Sequence, residues 1–303
     1  MVKYRLICFV GLLSIPSRAF ADEPPTGRFP DYQPVPGWAK LPDDIKFGPV
    51  SAVATDADYR VYVFHRGKTP VVVFDRDGKY LRSWGDGHFT TPHGLRIDPA
   101  GNVWTTDMSS HQVLKFDAEG KLLLTLGKKG EKGDSPDRFN RPTDVAVTPS
   151  GEFYISDGYG NSRVIKFSKE GKFLKQWGKR GTGEGEFNLP HAICLDAKGR
   201  VYVGDRENKR IQVFDAEGKF LAQWKESGSP YGLFLFKDRM FVADAVNNWV
   251  QVLDMEGKPL GRWGQTGSAP GQFKSSHMLC VDSKGAVYVA EVDNNRVQKF
   301  VAR

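Results

Sequence analysis

The sequence predicts an all-β chain folded as a six-bladed β-propeller, its ring closed by strands from the N- and C-terminal ends. Three observations predict this. An apolar residue that closes a β-rich run recurs at Phe74, Phe116, Phe167, Phe214, Leu253 and Phe300, at intervals of 42, 51, 47, 39 and 47 residues, the spacing of propeller blades. Ten residues after the first five of these stand Trp84, Leu126, Trp177, Trp224 and Trp263, which mark one further strand per copy. Asp-x-x-Gly turns recur at Asp75, Asp98, Asp117, Asp196, Asp215, Asp254 and Asp282, with glycine supplying the positive φ of a hairpin turn.

The elements follow in order. Lys3 and Arg5 precede an apolar run, Leu6 to Ile15, too short to span a bilayer, and Ala19-Phe20-Ala21 offers small residues at a cleavage site. Residues 1–21 therefore read as a cleaved export signal and residues 22–303 as one propeller domain, secreted or periplasmic. "YQPVPGW", ending in Trp38, matches the tryptophans that end the outer strands, and the sixth copy stops at Phe300 without an outer strand of its own. Pairing the two closes the ring and removes an exposed sheet edge. In the fourth copy, strands are expected at His191 to Leu195, Arg200 to Gly204, Arg210 to Phe214 and Phe220 to Trp224.

Composition narrows the function. Loss of Lys3, Arg5 and Arg18 lowers the formal excess of positive charge from +7 to +4, spread along the chain without the basic stripe that phosphate tracking needs, so nucleic acid is a poor partner. No later stretch has the roughly 18–20 consecutive apolar residues of a membrane span, and a monomer is expected. With Cys8 in the signal, only Cys194 and Cys280 remain. Strands facing each other across a channel lie beyond disulfide reach, so free thiols are expected.

Counting back from each closing apolar residue places Ser51, His93, Thr143, His191, Tyr231 and His277 at the start of the six innermost strands. A lone histidine there is more often a hydrogen-bonded structural residue. Three of only six histidines in the chain share one register in alternate blades, about 120° apart, and so converge on one point. Zinc takes three histidines in this way and leaves a position open. A second row falls after the second strands, at His65, Asp107, Asp157, Asp205, Asp244 and Glu291, around the same mouth. Its acids, with Asn161 and Arg163, Asn208 and Arg210, and Asn294 and Arg296, repeat as architecture does. Arg66, Tyr159 and Arg206 break the pattern.

These residues resemble the NHL-repeat propellers, and among them the peptidyl-α-hydroxyglycine α-amidating lyases, the lyase domain of peptidylglycine α-amidating monooxygenase. The resemblance rests on "FHRG" (64–67), "TPHGLRID" (91–98), "RPTDVAV" (141–147), "DGYGNSR" (157–163), "LPHAICLD" (189–196) and "DRENKRIQ" (205–212). It implies peptide amidation, in which a peptide ending in α-hydroxyglycine is split into an amide and glyoxylate. Zinc would be held by His93, His191 and His277, with Tyr159 as base and Arg66 and Arg206 on the substrate's carboxylate end and developing charge. A phenol ionises near pH 10, so such a base requires a neighbouring cation. The family also binds calcium through an aspartate after its third zinc histidine and two backbone carbonyls, which map to Val53 and Leu95. Met278 stands in place of that aspartate, and a thioether is a poor ligand for a hard cation, which argues against calcium. Gly160 and Tyr202 occupy two of the family's half-cystine positions. The alternatives are a non-catalytic NHL propeller that binds a protein or cell-envelope ligand and a lactonase-like calcium propeller, whose sites are built from carboxylates and amides.

Overall fold

A computed structural model describes residues 31–303. The expected export signal, residues 1–21, and the first residues of the expected mature domain lie outside the described residues. Six antiparallel four-stranded sheets follow one another around an axis. The innermost strands are Val50–Thr55, Pro92–Ile97, Asp144–Val147, Pro190–Leu195, Gly232–Phe236 and Ser276–Val281. Each neighbours the innermost strand of the next blade, and the circle closes between the sixth and the first.

The fourth blade shows how the sequence builds each unit. Its strands run Pro190–Leu195, Val201–Asp205, Arg210–Phe214 and Phe220–Trp224, within one residue of the sequence expectation. The turn acids work alike in the five blades that have them: Asp215 accepts the backbone N–H of Glu217 and Lys219, both at 2.9 Å, while Gly218 adopts φ 77°. An Asx turn of this kind satisfies three backbone groups with two residues.

The sixth blade comprises Ser276–Val281, Val287–Glu291 and Arg296–Ala302, and its fourth strand is Tyr32–Pro34, antiparallel to Arg296–Ala302. Closure by strands from both ends is therefore as expected. Trp38 differs: it lies beyond that strand and is buried between blades, its ring 5.5 Å from Phe74 and 5.2 Å from Tyr288. Pro34, Pro36 and Gly37 explain the shift, since prolines end ladder pairing before the indole is reached.

The core is divided among the seams between blades. Phe74, Phe116, Phe167, Phe214 and Phe300, the residues that set the repeat, are all buried there, each contributing about 1.5–3 kcal/mol. Among the described residues no helix is long and apolar enough to cross a membrane, and Cys194 and Cys280 are free thiols.

Candidate metal centre

The six residues at the head of the innermost strands form one ring at the channel mouth. His93, His191 and His277 form a triangle with ring centroids 4.7, 4.8 and 4.8 Å apart. In each case Nδ1 donates to the backbone carbonyl of the ring's next member: His93 to Thr143 at 2.7 Å, His191 to Tyr231 at 2.6 Å and His277 to Ser51 at 2.6 Å. A carbonyl only accepts, so the proton must sit on Nδ1 and the lone pair on Nε2. This is the arrangement that metal-binding histidines show.

A backbone irregularity aims these side chains. In all three histidine blades the register between the first and second strands slips at the histidine, between Pro92 and Leu95, Pro190 and Ala192, and Ser276 and Leu279. Blade one slips in the same place, at Ser51 between Val50 and Ala52, and blades three and five pair without a slip. A bulge re-aims a side chain where regular alternation would turn it away.

The electrostatics favour a cation. Burial pushes the His93 and His191 pKa values well below the ordinary value and that of His277 down to about 3, so all three are neutral at physiological pH. The Tyr159 hydroxyl lies 3.3 Å from His93 Nε2 and 3.1 Å from His191 Nε2. One phenolic proton thus faces two lone pairs, and the third, on His277, has no hydrogen-bond partner among the described residues. Three buried imidazoles whose ligating atoms lie within 4.8 Å of one another fit a metal ion.

Tyr159 sits in a loop, residues 158–162, that is one residue longer than its counterparts in blades two, four, five and six. The extra residue lets the phenol reach the channel axis. Burial pushes its pKa up, and Arg206 and Arg66 only partly oppose this. The two arginines expected to lower it are therefore in place, yet without a metal the phenol stays protonated.

The arginines differ from each other. Arg206 Nε and Nη2 reach Glu207 Oε1 at 2.8 and 2.7 Å, its Nη1 donates to Tyr159 at 3.4 Å, and its guanidinium lies 4.5 Å from the Tyr231 ring centroid. Arg66 donates through Nε to the Pro92 carbonyl at 3.1 Å and makes no ion pair among the described residues. Glu207 and Tyr231 escaped the sequence reading, although Glu207 adjoins Arg206 and Tyr231 stood in the histidine row.

The repeating acids are structural, as expected. Asp157 binds Arg163 at 3.0 Å, and Arg163 donates to the carbonyls of Asp134, Ser135 and Arg138, pinning the loop before blade three. Arg210 and Arg296 pin the loops before blades four and six in the same way.

Of the residues mapped to calcium, Val53 and Leu95 are paired in their ladders with Val63 and Thr105. Met278 is buried in an apolar cluster with Ala52, Ala54 and Leu95.

NHL repeats match residues 89–116, 139–167, 187–214 and 277–300. The chain is 38% identical over 196 residues to rat peptidylglycine α-amidating monooxygenase, covering 54% of this chain and 20% of that protein. It is 34% identical over 205 residues to peptidyl-α-hydroxyglycine α-amidating lyase 1 of Drosophila melanogaster, covering 55% and 38%. It is also 40% identical over 190 residues to mouse NHL repeat-containing protein 3, covering 57% and 54%. The chain thus spans at most about half the length of these relatives. In fold it resembles a gluconolactonase from Xanthomonas campestris, with TM-score 0.67, 14% identity and coverage of 85% of this chain and 87% of that one. Six sheets around a channel, the matched repeats and the lyase relatives agree: this chain is a six-bladed β-propeller that carries NHL repeats and is similar, over about half its length, to the peptidyl-α-hydroxyglycine α-amidating lyases.

Proposed function

We propose that the chain is a zinc-dependent lyase that splits a peptidyl-α-hydroxyglycine, or a related carbinolamide, into an amide and glyoxylate. The observation that carries this reading is the set of three inward Nε2 lone pairs with a phenol between them and an unpaired guanidinium beside them. His93, His191 and His277 would hold the ion, which when bound supplies Lewis acidity toward a substrate oxygen.

The chain's own groups supply the rest. Arg66 takes the carboxylate end, for which a planar guanidinium offers a two-pronged fit. Tyr159 Oη stands where a substrate hydroxyl must shed its proton, accepting that proton and delivering one to the departing amide nitrogen. The C–N bond breaks as the C–O bond becomes a carbonyl, and protons balance without a further reagent. Arg206, held by Glu207 and Tyr231, fixes the phenol's position rather than receiving the carboxylate itself. Export of the chain belongs to the same proposal and rests on the sequence of residues 1–21.

The test is metal content together with glyoxylate release from a hydroxyglycine-ended peptide. One zinc per chain with release supports the lyase. Zinc without release from any such peptide moves the binding-module reading ahead.

A further inference from the structure

The second-row position, the last residue of each blade's second strand, does one job in all six blades. In five it is an acid whose carboxylate accepts a backbone N–H from the loop ahead of its own blade: Thr90 to Asp107 at 2.6 Å, Asn140 to Asp157 at 2.9 Å, Asn188 to Asp205 at 2.7 Å, Ser229 to Asp244 at 3.0 Å and Lys274 to Glu291 at 3.0 Å. Blade one has His65 there. Its Nδ1 accepts the N–H of Gly48 at 3.1 Å and of Gly67 at 3.0 Å. In blades one, two, three, four and six, the donor ahead of the blade stands 17 residues before the acceptor.

The ring has been given room to do this. A Cβ at Gly67 would lie 2.5 Å from the His65 ring, so only glycine fits against it. A nitrogen that accepts two N–H groups carries no proton of its own, so the imidazole is neutral. Burial agrees, bringing the His65 pKa down to about 4.

An imidazole is a bulky replacement for a carboxylate that works in five other places, and the neighbouring residue supplies the reason. Arginine follows this position in only two blades, as Arg66 and Arg206. In blade four the acid Asp205 is answered within its own blade by Arg210 at 2.8 Å, and Arg206 is left to Glu207. Blade one has Pro70 where blade four has Arg210. A carboxylate at position 65 would have no arginine opposite it in the ladder, where His65 pairs with Pro70, and Arg66 would be its sequence neighbour. The acids that do influence Arg66 are Asp107 and Asp293, and both are otherwise engaged: Asp107 by the N–H groups of Thr90, Thr91, Ser109 and Ser110, Asp293 by the Ser275 hydroxyl.

We infer that His65 is a positioning residue for recognition of an anionic ligand end: a neutral acceptor that holds the blade-one loop as a carboxylate would, while leaving the Arg66 charge for the ligand. The inference rests on the lyase reading only for the class of ligand, an acid-ended peptide.

The experiment compares His65→Asp with His65→Asn, which differ by one charge at almost equal volume, each measured as the metal-loaded protein. The probe is an N-acylglycine, which lacks the hydroxyl and is not cleaved, with its primary amide as neutral control, titrated calorimetrically. Wild type and His65→Asn should prefer the acid over the amide equally. His65→Asp should bind the acid about tenfold or more weakly with the amide unchanged, and the deficit should disappear in an Arg66→Gln background. If the Asp variant does not fold, His65→Glu delivers the same charge in the form blade six uses at Glu291. A purely structural role would weaken acid and amide alike in both variants and would overturn the inference. So would His65→Asp or His65→Glu binding the acid as wild type does, or wild type failing to distinguish acid from amide. Glyoxylate release from the hydroxyglycine peptide is read separately: its absence removes the lyase and leaves the acid-versus-amide result standing.

Discussion

The two ends of the central channel hold charge in opposite ways. At the histidine mouth, three neutral imidazoles turn their lone pairs inward and leave them short of donors. Three residues along from His93, Arg96 crosses toward blade three and meets Asp144 through Nε at 3.0 Å and Nη2 at 2.6 Å, with Nη2 also donating to the Leu233 carbonyl at 2.9 Å. Asp144 in turn accepts the N–H of Val145 and Ile193. Arg96 also lines a cavity of about 410 Å³ at the far end, together with Ile97, Val147, Leu195 and Phe234. One end is a donor set that could hold a cation and the other already contains one. A buried polar cluster that satisfies itself is architecture, and one that does not is a site.

That contrast can be broken most severely at the histidines. His191→Ala should reduce metal affinity by roughly a hundredfold or more, since two ligands remain of three, while the metal-free melting temperature changes little. Metal analysis and calorimetry on the same preparation check both halves, and undiminished metal would remove the site. At the far end the expected pattern is reversed. Asp144→Ala should destabilise the fold by about 3–5 kcal/mol, because it leaves the Arg96 charge buried without its partner, and metal stoichiometry should persist. Denaturant unfolding measures this, and Arg96→Met in the same chain should recover much of the loss.

Finer effects sharpen the comparison within the mouth. Tyr159→Phe keeps the ring and removes one oxygen. It should retain metal and reduce glyoxylate release by about 10²-fold, the scale of general acid–base catalysis; unchanged turnover would assign the proton to another group. The smallest effect concerns His65. Its folded pKa of about 4 lies below the unfolded value near 6.5, so its contribution is complete above pH 6.5 and is lost as pH falls toward 4. Between pH 7 and 5 wild type should lose on the order of 2 kcal/mol more stability than His65→Asn, a difference that paired urea titrations at the two pH values resolve.

Side-chain roles were largely legible in the sequence and backbone roles were not. The spacing of Phe74 through Phe300 located the strands because buried aromatic residues repeat with the blade. The row Ser51, His93, Thr143, His191, Tyr231, His277 located the mouth because histidine is scarce. Nothing in those letters revealed that Ser51, Thr143 and Tyr231 would act through their carbonyls, since every residue type carries one. The bulges beside the histidines were equally hidden, being a matter of pairing register rather than composition. Trp38 was read as a strand end because it resembled four others, and only the prolines before it marked the difference.

The alternation of imidazole and carbonyl around the mouth bears on how the protein matures. Each histidine is oriented by the blade that follows it, and the last of these links, His277 to Ser51, spans 226 residues and joins blade six to blade one. A partly wound chain has ligands without their orienters. Binding is therefore strong only in the closed circle, and an ion that binds the closed circle alone draws the folding equilibrium toward it. A ring held only by its short terminal strand would open at that seam first, as a linear array frays at its end. The metal would act there as a clasp, raising resistance to proteolysis far from where it sits, and chains that failed to close would be left both empty and exposed to degradation.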